Sequence, residues 1–369
     1  MTRTVGVEEE LLLVDPDTGC PTALAATALE RAPAPRAGEL DTPGGIVEEE
    51  FQQEQIETDT RPCRTMDELG AEVRAQRRMA ADAARAVGAE LVALATSPLE
   101  VAPTVTPKAR YRRMVREFGL TAAEQLSCGV HVHVEVASDD EGVAVLDRIR
   151  VWLPVLLALS ANSPFYQGQD SGYESFRSQV WNRWPSAGAT ELFGTSERYH
   201  AVVEGLIATG TLLDAGMVYF DARLAQSYPT VEVRVGDVCQ HPDDTVLLAA
   251  LSRALVSTAA AEAQAGTAPP DVRSELLRVC TWRAGRSGLR DRLVDPRTLR
   301  PAPAAHVVDA LVEHVRPALE DAGDDGLVTE LLEALWGRGN GAAMQRRSFE
   351  ATGRLADVVR AAVAVTAGE

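Results

Sequence analysis

Four short stretches of the chain alternate ionisable and apolar residues with period two: Gly6–Leu11, Gln53–Thr58, Gly129–Glu135 and Thr230–Val235. In an extended strand, residues i, i+2 and i+4 share one face. Glu8 and Glu10 therefore line one surface, as do Gln55 with Glu57, His131 with His133 and Glu135, and Glu232 with Arg234. In the third and fourth stretches the opposite face is a run of valines, suited to packing on helices. The pattern predicts one antiparallel sheet, apolar behind, whose front gathers carboxylates, imidazole and guanidinium. Glu9 points with Val7 and Leu11, so it is expected to be salt-bridged or at a rim. A solvated sheet face would also alternate. Such a face usually favours Thr, Ser and Lys, however, and Lys is almost absent here.

Between these stretches the chain predicts mostly helices. Thr65-Met66-Asp67-Glu68 has the spacing of a capping box and opens a helix to about Val87. Leu91–Thr96 reads as a buried strand, and a Pro-punctuated stretch (Pro98, Pro103, Pro107) leads into Lys108–Phe118. Asp139–Ala161 predicts a helix kinked or interrupted near Pro154 and stopped by Asn162-Ser163-Pro164. Phe165–Phe193 reads as a loop carrying Gln167, Asp170, Tyr173, Arg177, Trp181, Arg183 and Trp184. Long loops so loaded are more often functional than structural. Asp243–Ala265 predicts a helix, Thr267–Pro270 a break, and the part from Val272 is mostly helical, with Arg283, Arg286 and Arg290 on its first stretch. Gly337–Gly341 reads as a helix stop and turn, and the Pro-rich tract Arg31–Gly45 as a surface loop between strands. No internal repeat is present. The reading is a single catalytic domain over 1–369, with 272–369 its mainly helical C-terminal part.

The formal net charge of −18 argues against nucleic acid and against an anionic membrane surface as partners. A protein so acidic that handles ATP must do so through bound cations, because its own field repels the nucleotide. The longest apolar run, Val151–Leu159, is broken by Pro154 and too short to span a bilayer. No basic-then-apolar leader is seen at the N-terminus. Cys20, Cys63, Cys128, Cys239 and Cys280 are odd in number, with no CxxC pair, which fits reduced thiols in a cytoplasm.

There is no P-loop, no dinucleotide glycine motif after a strand and no nucleophile elbow. Glu8, Glu10, Glu57 and Glu232 are hard oxygen donors, and His131 is the main nitrogen candidate. Many carboxylates with one or two imidazoles and no thiolate favour Mg²⁺ or Mn²⁺ over Zn²⁺. Several Glu at one locus would repel one another unless a cation neutralised them. His133, one step outward, is read either as a support for that set or as merely exposed.

These segments resemble the carboxylate–amine ligases of the glutamate–cysteine ligase type 2 family. The likeness runs over nearly the whole chain and is carried by Gly6–Glu10, Gln55–Thr58, Gly129–Val134, Ser160–Phe165, Asp170–Tyr173 with Arg177, and Tyr228–Asp237. It departs at Ser171, where the family usually has Thr, and at Ala222 and Leu224, where it usually reads Asp-Val-Arg-Pro. Asp221 and Arg223 are kept. The resemblance implies an α+β, glutamine-synthetase-like fold: a curved antiparallel sheet forms the active-site floor, with helices packed behind. It implies Glu8, Glu10, Glu57, His131 and Glu232 as the metal set. It also implies Arg177, Tyr173, Arg223 and Arg234 as substrate binders, with Arg234, Arg177 and Glu57 the residues closest to catalysis. The expected activity is ATP-dependent joining of a carboxylate, the side chain of glutamate, to an amine, with ATP and Mg²⁺ or Mn²⁺. The partners are small molecules, and a homodimer is admitted as an assembly. The rival readings are a metal-dependent amidohydrolase on the same floor and a non-catalytic relative that binds nucleotide or metabolite.

Overall fold

The computed structural model describes residues 2–31, 44–45 and 47–367. Most of the Pro-rich tract expected as a loop lies outside them. The four alternating stretches fall in β1 (Val5–Val14), β3 (Gln55–Asp59), β5 (Gly129–Glu135) and β9 (Thr230–Asp237); β2 (Val47–Glu49), β4 (Glu90–Val92) and β8 (Ala222–Leu224) join them, and β6 (Phe165–Tyr166) with β7 (Gln169–Asp170) form a separate hairpin. The main sheet runs β2-β3-β1-β5-β9-β8, with β4 beside the far end of β1. Its pairings are antiparallel. The expected α+β architecture is therefore observed.

The register sets the front face. Glu10 lies opposite Glu57, Glu8 opposite His131, and His133 opposite Glu232, which in turn faces Arg223. Between the Val130–Gly236 and Val132–Val233 pairs the ladder slips, so Arg234 and Val235 together oppose His131. Such a bulge adds a residue and resets which side the strand presents. Strict alternation from Glu232 would put Gly236 on the front, whereas Asp237 takes the position opposite Gly129.

The valine faces do pack on helices. Val130, Val132, Val134, Val231 and Val233 are buried with Leu247, Leu248 and Leu251 of the helix Pro242–Gln264. Each such side chain stabilises by about 1.5–3 kcal/mol. This helix is long and apolar enough to cross a membrane, but 72% of its most apolar window is buried inside the fold. It packs on Met66–Arg85, Asp139–Ile149, Asp325–Arg338 and Ala304–Ala322. The capping box forms as expected: Thr65 Oγ1 accepts from the Glu68 amide, and Glu68 Oε2 accepts from the Thr65 amide.

Some elements differ from expectation. The strand at Leu91–Thr96 shortens to Glu90–Val92, because side chains take over the backbone groups beyond it: the Ala93 amide donates to Thr366 Oγ1, and its carbonyl accepts from Asn162 Nδ2. The Asp139–Ala161 helix breaks before Pro154, into Asp139–Ile149 and Leu153–Ser160, and Pro154 sits in the first turn of the second piece, where its missing N–H costs nothing. The loaded loop contains the β6–β7 hairpin and a short helix, Arg177–Trp181. The C-terminal part holds a strand pair, Arg292–Asp295 with Arg300–Pro303, among its helices. Arg290 lies past the end of the Ser274–Ser287 helix.

Glu9 is salt-bridged as expected, but in the interior: at 2% exposure it is no rim residue. Arg77 Nε and Nη2 donate to its two oxygens at 2.8 and 2.6 Å, and Thr245 Oγ1 donates at 2.6 Å. The same guanidinium donates to the carbonyls of Cys239, Gln240 and Thr366, tying β1 to the C-terminal helix.

Candidate active site

The front of the sheet is the floor of a cavity of about 320 Å³, lined by Glu8, Glu10, Glu50, Gln55, Glu57, His131, Arg223 and Arg234, with Tyr111, Trp181, Trp184 and Tyr219 as an aromatic wall. Each alternating strand contributes, because one sheet face collects every second residue. Donor atoms from Glu8, Glu57 and His131 lie within 4.8 Å of one another, as do those of Glu10, Glu50 and Glu57, and those of Glu8, His133 and Glu232. Glu57 and Glu8 thus join three overlapping clusters into one.

The charges on this floor are unequal. Burial raises Glu57 well above the ordinary carboxylate range, and the charges of Glu50, Glu8 and Glu10 push it further. Burial likewise raises Glu10 and Glu50, and Glu50 and Glu57 share a side-chain hydrogen bond. For Glu8, burial is outweighed by hydrogen bonds from His131 and His133, which hold it well below that range. For Glu232, burial is outweighed by Arg234 and then Arg223, which bring it down to about 2. Burial, with Arg234 next, lowers His131 and favours its neutral form; in His133, Glu8 overcomes burial and favours the cation.

His131 Nδ1 lies 3.1 Å from Glu8 Oε2, and its buried Nε2 has no partner among the described residues. A neutral imidazole with a free ring nitrogen, among carboxylates that repel one another, is a donor set that fits a hard divalent cation. Glu232 is already gripped by Arg223, with Nε 2.7 Å from Oε2, and by Arg234 Nη1. It still offers an oxygen beside Glu8 and His133.

Glu8, Glu10, Glu57, His131, Glu232, Arg223 and Arg234 are therefore brought together. Tyr173 and Arg177 are not. Tyr173 lies away from the cavity, its hydroxyl accepting from Trp282 Nε1 at 3.2 Å. Arg177 is 1% exposed, behind the floor, where its guanidinium stacks 5.3 Å from the Trp181 ring. A Cβ on Gly129 would collide with it, so glycine is needed at the head of β5. It acts electrostatically on Glu10, Asp221 and Asp237 rather than opening on the cavity. Arg234 stacks at 5.8 Å on the same indole, and its Nε has no partner among the described residues. Ser160–Pro164, part of the family likeness, is a buried bracket: the Asn162 amide and Ser163 Oγ donate to Asp237, and Asn162 Nδ2 donates to the Val238 carbonyl.

The sequence reading passed over Glu50. A signal existed: Glu48 lies opposite Glu57, and Glu50 continues its period two just past the end of β2. His133, read as support or exposed, is half-buried within the cluster. Tyr111, Tyr219 and Gln125 carry no such signal, because they reach the cavity from helices and loops.

A second cavity of about 220 Å³ meets the first at Glu8. It is lined by Val7, Pro62, His133, Tyr228, Pro229 and Thr230 among others. The cysteines take no part. Cys20 is exposed, whereas Cys63, Cys128, Cys239 and Cys280 are buried, and burial pushes Cys63 up to about 11 and raises the other three.

The chain matches the model of glutamate–cysteine ligase family 2 over residues 4–361. It is 54% identical over 366 residues to a Streptomyces avermitilis protein provisionally named glutamate–cysteine ligase 2-1, covering 99% of this chain and 100% of that one. It is 53% identical over 361 residues to a Streptomyces coelicolor protein provisionally named glutamate–cysteine ligase 2, covering 98% of each. Among solved structures, the glutamate–cysteine ligase of Francisella tularensis in complex with AMP superposes with a TM-score of 0.69 at 13% identity, over 100% of this chain and 90% of that one. The bifunctional glutathione synthetase of Pasteurella multocida gives 0.68 at 14% identity, over 99% of this chain and 52% of that one. At such identities the likeness speaks for the fold alone, and that fold is the glutamine-synthetase-like one expected. With the family model spanning almost the whole chain and relatives above half identity, the protein belongs to glutamate–cysteine ligase family 2, a family of carboxylate–amine ligases.

Proposed function

We propose that the protein is an ATP-dependent ligase that joins the side-chain carboxylate of glutamate to an amine through an acyl phosphate. The observation that carries this reading is the placement of Glu8, Glu10, Glu50 and Glu57 with Arg223 and Arg234 around one cavity. A carboxylate anion resists attack by an amine, and its oxygen leaves poorly; phosphorylation removes both obstacles. Glu8, Glu10, Glu50, Glu57, Glu232 and His131 would hold Mg²⁺ or Mn²⁺, which when bound would neutralise part of the charge of the phosphoryl groups.

The chain's own residues supply position and field. Arg234, whose Nε has no partner among the described residues, would set positive charge beside a transferring phosphoryl group. Glu232 fixes the forks of Arg223 and Arg234, so little order is lost when they act. The cavity around Tyr228 offers an apolar slot for a nucleotide base on the other side of Glu8. No covalent nucleophile is required.

The test uses donor labelled with heavy oxygen in its reacting carboxylate. One labelled oxygen passes into the released phosphate, and ADP is the nucleotide product. AMP with pyrophosphate would overturn the acyl-phosphate route in favour of adenylation. Amide cleavage without ATP would overturn the ligase in favour of a hydrolase.

A further inference from the structure

Behind the helix Arg177–Trp181 lies another cavity, of about 370 Å³. Trp181 faces the acidic floor, whereas Gln179 and Asn182 line this second space, so the helix is a wall between the two. Asp221 also lines it. Its side chain is about nine-tenths buried and accepts no hydrogen bond from a described residue; its amide and carbonyl are spent on Gly188 and Arg234. Burial raises its carboxyl to about 6, opposed only by the charge of Arg177. A buried carboxylate without a hydrogen bond is costly, and the charge of Arg177 offsets only part of that cost, leaving room for a bound cation to offset more.

The rest of the lining is rich in free acceptors. Asn182 uses Nδ2 on the Ser178 carbonyl, and Gln179 uses Nε2 on Ser178 Oγ, and no described residue donates to either amide oxygen. Thr281 Oγ1 is buried with no partner among the described residues. At the rim, Glu275 is ion-paired with Arg273, and Arg278 acts on it only weakly. Val279, Ala189 and Trp282 add an apolar side. Several unspent acceptors around one carboxylate without a hydrogen-bond donor, next to apolar surface, match a group with three donors, one positive charge and an alkyl stem.

We propose that this cavity binds the primary ammonium group of a small amine or amino acid, with Asp221 as its counter-charge. The site is separate from the acidic floor, and its occupancy can be read without turnover.

The full chain, labelled with ¹⁵N in its tryptophan indoles, is titrated with n-butylammonium chloride. Potassium chloride and n-butanol are titrated in parallel, and Trp282→Phe assigns the reporter. The Trp282 indole, which donates to Tyr173 Oη, shifts saturably with the ammonium salt alone. Asp221→Asn weakens binding by about tenfold or more, the worth of a charged hydrogen bond. Val279→Arg, on a side chain that is 60% exposed, weakens it as well by setting a like charge at the mouth. Because the helix stands between this cavity and the floor, the bound amine is an effector and not the acceptor: Val279→Arg leaves KM for the acceptor amine unmoved, and a rise in that KM would overturn the separation of the two sites. An equal response to potassium or to butanol, a shift that never saturates, or wild-type binding in both Asp221→Asn and Val279→Arg would overturn the site.

Discussion

Glu57→Gln separates the cost of crowding carboxylates on the floor from the benefit of a cation there. Glu57, Glu10 and Glu50 all have folded pKa values raised above the ordinary 4.5. The folded metal-free protein therefore holds more protons than the unfolded chain once pH passes that value. Stability from these groups is fully present below it and is lost as pH rises through the raised values. Glu8 and Glu232 are shifted the other way, so their contribution is lost only as pH falls below the ordinary range. Two like charges at the 4.8 Å that bounds each cluster repel by about 3 kcal/mol at an effective dielectric of 20. A cation at a hundred times its Kd returns about 2.7 kcal/mol. With 369 residues and an unfolding entropy of about 2.1 cal/mol/K per residue, that is a rise in Tm of about 3–4 °C. The assay is calorimetry of EDTA-treated protein at pH 5.5 and pH 8, with and without Mn²⁺. In the metal-free state Glu57→Gln is more stable than wild type, and its advantage is larger at pH 8. Mn²⁺ raises wild-type Tm more at pH 8 than at pH 5.5 and does little for the variant. A metal-free variant whose advantage shrinks as pH rises, or one that keeps the full Mn²⁺ gain, would refute the reasoning.

Further outcomes follow from the same geometry. Glu10→Gln and Glu50→Gln each lower turnover by about 10²-fold, as expected for removing aligned charge, and EDTA abolishes it; wild-type rates in both variants would remove them from the site. Arg234→Lys chiefly lowers kcat, because Lys cannot reproduce a fork held by Glu232; a change confined to KM would assign it to ground-state binding. Single Ser replacements of the cysteines leave kcat within a few-fold, and a folded variant without turnover would point to a thioester route. Arg77→Met leaves Glu9 buried and unpaired and strips donors from the carbonyls of Cys239, Gln240 and Thr366, costing about 3–5 kcal/mol in urea unfolding. A loss below about 1 kcal/mol would show that the pair is not needed.

Period two in the sequence was enough to place Glu8, Glu10, Glu57, His131 and Glu232 on one face, because a strand presents alternate residues whatever surrounds it. It also implied that the valines behind them would be buried, and the Thr65–Glu68 spacing marked the start of a helix, since both are local consequences of backbone geometry. The rest needed the folded chain. The slip in the β5–β9 ladder, which brings Asp237 opposite Gly129, leaves no mark in the alternation of β9 itself. The interior position of Glu9 depends on Arg77, 68 residues away. Arg177 carries a family motif and a charge suited to binding an anion, yet Trp181 and Gly129 hold it behind the floor. Glu50 joins the acidic set only because β2 pairs with β3 and leaves its next residue over the cavity. What the sequence determined was each segment's own face; which faces meet, and which charges end up without a partner, was decided by contacts between residues far apart in the chain.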